Sequence, residues 1–96
     1  IKMPVSKQLF RLGMIVATPL APKNLEAQGM DVAQLITRHV TGDDGDLSAN
    51  DKQANLDALQ HGDRIFSTYK LSSTVKLYVI TEADRSSTTI LCAEEY

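Results

Sequence analysis

His39 stands four residues before Asp43, and Asp44, Asp46 and Asp51 follow in the run GDDGDLSAND. A histidine close to carboxylates is the raw material of a general base or a metal ligand set. One reading is therefore a metal-dependent hydrolase-like enzyme using His39 with Asp43, Asp44 or Asp46. The same run resembles a calcium loop, and the ligand positions test that. With Gly45 at loop position 6, Asp44 falls at 5, Ser48 at 9 and Asp51 at 12, all as required. Positions 1 and 3 are then Val40 and Gly42, which offer no side-chain oxygen. Asp44, Asp46 and Asp51 remain the candidate metal ligands, but the loop fails the count for tight binding. The plainer reading is a solvated turn whose aspartates favour the helix that follows. For His39 the plainer reading is a half-buried residue at a helix C-terminus, its charged form favoured by the helix dipole. His61 sits in a matching place.

Other chemistry is sparse. Cys92 alternates with Ile90 and reads as a small buried hydrophobe; a nucleophilic thiol would need a base and exposure. No dinucleotide, P-loop, nucleophile-elbow or zincin motif is present, so no cofactor is expected and catalysis has no positive support. Arg64, Lys70, Lys76 and Arg85 are spread through the C-terminal third and form a candidate interaction strip, with Tyr96 as a terminal anchor. Basic residues so dispersed among acids also protect edge strands.

The elements that must carry these residues follow from periodicity. Phe10, Leu12, Met14 and Val16 alternate, predicting a strand over residues 10–17 buried on at least one side. Thr18-Pro19 reads as N-cap and first helical residue, and Gly29 ends the helix. Asp31 caps a second helix whose stripe is Val32, Leu35, Ile36, His39 and Val40. Ser48, with Asp51 three residues on, starts a third helix that stops at Gly62. Its apolar face, Ala54, Leu56, Ala58 and Leu59, is thin enough to place it on the surface. From Ile65 the period changes to two, and short polar turns separate residues 65–71, 75–81 and 88–92. The expected class is α+β. A C-terminal β-meander and the N-terminal strand form a three- to four-stranded, mainly antiparallel sheet packed with two to three short helices.

The 96 residues suit one domain, assigned to residues 9–96, with residues 1–8 set aside as a disordered or extraneous N-terminus. Aromatic residues make up 5% and Trp is absent, so the core rests on aliphatic side chains. Net charge is −2, with an acidic stretch at residues 41–63. That distribution argues against a general phosphate-backbone binder. A single cysteine, no apolar run of membrane-spanning length and no signal sequence point to the cytoplasm.

Three segments, RLGMIVATP, ITRHVTGDDGDL and ITEADRSSTTIL, together with the terminal EEY, carry a resemblance. They are similar to a family of short, uncharacterised bacterial proteins carried on plasmids, integron cassettes and other mobile elements. The similarity spans about residues 11–96. Some members carry a label as a restriction–modification subunit, which no motif here supports. In that family the acidic segment often has Trp where this chain has Asp44, so a ring able to stack on a partner is missing here. The resemblance implies a mobile-element origin and no reaction.

The expectation that follows is a non-enzymatic interaction or regulatory module that binds itself, as a homodimer, or another protein. Membrane and nucleic acid are not expected partners. The alternatives are the His39-based hydrolase and a regulator of nucleic-acid transactions.

Overall fold

The computed structural model describes residues 8–96. The expectation for residues 1–8 lies outside this range except for Gln8. The elements run β1 (Met14–Ala17), α1 (Leu20–Ala27), α2 (Val32–Val40), α3 (Ala49–His61), β2 (Ile65–Lys70), β3 (Lys76–Thr81), β4 (Ser87–Cys92) and a closing 3-10 turn, Ala93–Glu95. The fold is α+β. The meander β2-β3-β4 is antiparallel, and β1 joins it beside β4 in parallel, giving the order β1-β4-β3-β2. Parallel pairing requires a long crossover, and the three helices supply it.

One face of the sheet is covered. Alternation along β2, β3 and β4 turns Tyr69, Leu77, Val79, Ile90 and Cys92 toward Ala21 and Leu25 of α1 and Leu35 and Ile36 of α2, forming the core. Among the described residues the opposite face carries no α-helix; the chain end reaches it, with Tyr96 standing on Tyr78. Helix α2 forms where its apolar stripe predicts it, closed by a reciprocal cap: Asp31 accepts from the Gln34 amide and Gln34 from the Asp31 amide, both at 2.9 Å. Helix α3 is capped by Ser48 and ended by Gly62 at φ +74°. No helix among the described residues is long and apolar enough to cross a membrane.

Several expectations are corrected. The first strand begins at Met14, not Phe10, because Gly13 at φ +64° turns the chain. A Cβ on Gly13 would collide with the Ser86 carbonyl, so only glycine fits. The strand is exposed along its whole length rather than buried on one side. Thr18 does not cap α1 with its side chain; its hydroxyl donates to Glu95 Oε1 at 2.6 Å, and Glu95 Oε2 accepts from the Leu20 amide at 3.4 Å. A residue from the far end of the chain thus supplies the cap. In α3 the inward face is Asn55 and Ala58, with Leu59 half-buried, while Ala54 and Leu56 face solvent. A polar residue holds the central inward position, which an apolar count overlooks.

Candidate functional site

Of the aspartates that spacing groups with His39, the structure keeps only Asp44 near it. His39 is 1% exposed, not half-buried, and both ring nitrogens face hydroxyls: Nδ1 lies 2.6 Å from Ser67 Oγ and Nε2 lies 2.9 Å from Thr81 Oγ1. Thr81 Oγ1 lies 2.7 Å from Thr88 Oγ1, and the Thr88 hydroxyl donates to the Leu12 carbonyl at 2.7 Å. These contacts order the protons. A carbonyl only accepts, so Thr88 gives its proton to Leu12 and must accept from Thr81. Thr81 in turn must accept from Nε2–H. His39 therefore carries a proton on Nε2, and burial keeps the ring otherwise unprotonated, so Nδ1 accepts from the Ser67 hydroxyl. Burial lowers its pKa to about 4, overcoming the opposing pull of Asp44. The expected charged form is overturned, because desolvation outweighs the helix dipole. Phe10 closes the site, its ring edge-on to His39 at 5.1 Å between centroids.

Ser67 and His39 have the spacing of a nucleophile and its base, but Ser67 is 0% exposed. A cavity of about 40 Å³ adjoins them, lined by Phe10, Asp44, Asn55 and Leu59 among others. That space holds a water molecule or two. Of the three aspartates grouped with His39, only Asp44 reaches this cavity.

The acidic run does a different job. Asp44 and Asp46 lie along the outer edge of β2: the Thr68 amide donates to the Asp44 carbonyl at 3.2 Å, and the Asp46 amide donates to the Thr68 carbonyl at 2.8 Å. The Lys70 amide donates to the Asp46 carboxylate at 2.8 Å. Asn55 completes the row. Its Oδ1 accepts from the Phe66 amide at 3.1 Å, while its Nδ2 donates to the Phe66 carbonyl at 2.5 Å and to Asp44 Oδ2 at 3.0 Å. Gly45, at φ +75°, bridges to Thr68 so closely that a Cβ would strike the Thr68 carbonyl. Asp43 pairs with Arg38 at 2.7 Å, and the guanidinium holds its carboxyl below the usual range. Its carbonyl accepts from the Tyr69 hydroxyl, whose pKa burial pushes up to about 12. Asp51 is exposed on the first turn of α3. Among the described residues no three His, Cys, Asp or Glu side chains gather as a metal site.

The outer edge of β1 is different. The amides of Met14 and Thr18 donate to the Ser86 and Ile90 carbonyls of the β4 segment at 3.0 and 2.9 Å. By alternation Ile15 and Ala17 turn their main-chain groups away from β4. Among the described residues nothing bonds to them there. The strand's side chains are apolar and open: Met14 is 71% exposed, Ile15 48% and Val16 42%.

The basic residues divide. Lys70 and Lys76 are cross-strand partners at one end of the helix-free face. Arg64 donates to the Tyr96 hydroxyl at 3.2 Å, and the Tyr96 ring stands edge-on to Tyr78, which lies against Phe66. Arg85 is not on this strip. Its guanidinium is committed to the carbonyls of Ala58, Asp63, Glu82 and Ala83, where it seals the end of α3. Cys92 is buried and accepts from Asn24 Nδ2 at 3.0 Å, with burial raising its thiol pKa. His61 is exposed.

Sequence reasoning missed Asn55, Ser67, Thr81, Thr88 and Glu95. Buried threonines facing one another on β3 and β4 were the only available signal. No protein-family model, curated protein or solved structure matches the chain.

Proposed function

We propose that this chain is a non-enzymatic protein-interaction module that docks through the open edge of β1. The carrying observation is the contrast between the two ends of the sheet. At β2 the main-chain groups of Phe66, Thr68 and Lys70 are engaged by Asn55, Asp44 and Asp46. At β1 an apolar edge, unbonded among the described residues, has the geometry to accept a strand by β-augmentation. Natural sheets block edges that must not pair, and here one edge alone is blocked among the described residues. The mobile-element setting implied by the family resemblance belongs to the same proposal, as an accessory role.

Ile15→Pro tests it. The Ile15 N–H points outward, so proline removes an outer-edge donor without taking a bond from β4, and edge strands tolerate it there. Whatever wild type retains from a concentrated bacterial extract, its own copies included, is expected to be lost by Ile15→Pro and kept by Lys23→Ala. Undiminished retention by Ile15→Pro contradicts the reading.

A second reading has one observation in its favour. Phe66, Tyr78 and Tyr96 lie beside Arg64, Lys70 and Lys76 on the helix-free face, a combination that suits single-stranded nucleic acid and a role in regulating nucleic-acid transactions. A retardation assay at low salt with no shift removes it.

A further inference from the structure

We propose that the occupant of the β1 edge is β1 of a second copy, running antiparallel about a two-fold axis at Val16; this rests on the reading of that edge as a docking surface. The argument is charge and register. Arg11 is exposed just ahead of β1 and has no ion-pair partner among the described residues. At the other end of the strand stands Glu95, fixed by the Thr18 hydroxyl at 2.6 Å and the Leu20 amide. Between them lies uncharged Met14–Ala17. A strand with a cation at its start and an anion at its end is complementary to its own antiparallel copy. Each Arg11 is carried toward the other copy's Glu95. A parallel copy would set like charges together.

Register follows from the outward residues. Ile15 and Ala17 present their main-chain groups, so Ile15 of one copy faces Ala17 of the other as a hydrogen-bonded pair. Val16 then faces Val16 across the axis, and Met14 faces Thr18. Val16 and Met14 share the helix-free face with their β4 partners Thr89 and Ser87. The apolar side chains left open in one copy therefore cover those of the other, extending one four-stranded sheet into a continuous doubled one. Such a short interface belongs at the weak, concentration-dependent end of the range.

Charge exchange tests the pairing by sedimentation velocity. Arg11→Glu alone and Glu95→Arg alone are each expected to weaken self-association by about tenfold or more, because every cross-copy contact becomes like-charged. Mixed in equal amounts, they are expected to form a heterodimer at least about tenfold tighter than either variant alone; because Glu95→Arg also gives up the bonds to Thr18 and Leu20, urea unfolding of each variant establishes first that it is folded. Val16→Cys gives a readout of register. Cα atoms of a facing non-hydrogen-bonded pair lie ~4.5 Å apart, within disulfide reach. Oxidised glutathione is expected to cross-link Val16→Cys faster than Ile15→Cys. A wild type that dimerises while the mixed variants do not overturns the antiparallel register. A wild type monomeric at millimolar concentration overturns self-pairing. The docking reading then survives only if Ile15→Pro loses a foreign partner that wild type holds, and falls with it otherwise.

Discussion

Asn55 gives Phe66 both of the hydrogen bonds that a neighbouring strand would give it: Oδ1 accepts from the Phe66 amide and Nδ2 donates to the Phe66 carbonyl. A side chain on α3 thus stands in for the missing strand beyond β2. The consequence is testable. Asn55→Ala leaves both main-chain groups without a protein partner, and the expected loss is about 1–3 kcal/mol by urea unfolding. Because it also opens the β2 edge, the variant is expected to show more association at high concentration than wild type by light scattering. Unchanged stability and unchanged association would show that β2 needs no cap.

The His39 network predicts a pH window. The native pKa is about 4, against about 6.5 for an unfolded histidine. Between those values the unfolded chain binds a proton that the native protein does not, so stability rises with pH across the window and falls as pH drops through it. The expected loss from pH 6.5 to 4 is roughly 3 kcal/mol, with no further contribution from this group above 6.5. Asp43, held low by Arg38, loses its share as pH falls from the ordinary carboxylate value downward, so it meets the His39 window only at its acid end. His39→Gln is expected to be less stable at neutral pH and to lack this slope. Equal slopes in both proteins would contradict the neutral buried imidazole.

Thr68 offers a stabilising change. Its hydroxyl, on the helix-free face, is buried with no hydrogen-bond partner among the described residues. Thr68→Val keeps the shape and removes a desolvated orphan, so the unfolding free energy is expected to rise by about 1 kcal/mol. A lower urea midpoint would mean that the hydroxyl is satisfied after all.

Gly13 sets where β1 begins. At φ +64° and against the Ser86 carbonyl, a methyl group has neither conformation nor room. Gly13→Ala is expected to cost roughly 2–4 kcal/mol and to release β1 from β4. Amide exchange checks it, with Met14 and Val16 losing protection before any residue of β3.

What was legible in the chain is local. The stripe Val32, Leu35, Ile36, His39 and Val40 with its Asp31 cap marked α2, because helical period and capping act within a few residues. The meander was equally plain from alternation and short turns. Phe10 and Leu12 prolonged the β pattern without joining the strand, since one left-handed glycine outweighs alternation. Thr18 looked like a cap because its actual partner, Glu95, lies at the other end of the chain. The site was hidden for the same reason. Spacing groups His39 with three aspartates, whereas folding keeps only Asp44 nearby and gives the ring nitrogens to Ser67 and Thr81, with Thr88 behind. Asn55 counts as polar surface until β2 arrives beside it, and no local pattern says which sheet edge is left open.

Amide exchange at Ile15 and Ala17 tests the central claim most directly. In dilute purified protein both amides are expected to exchange freely, while Phe66, Thr68 and Lys70 stay protected at every concentration. On concentrating the protein, Ile15 and Ala17 are expected to gain protection together, with Met14 and Val16 little changed. Free exchange at Ile15 and Ala17 in concentrated protein and in bacterial extract alike would contradict the account.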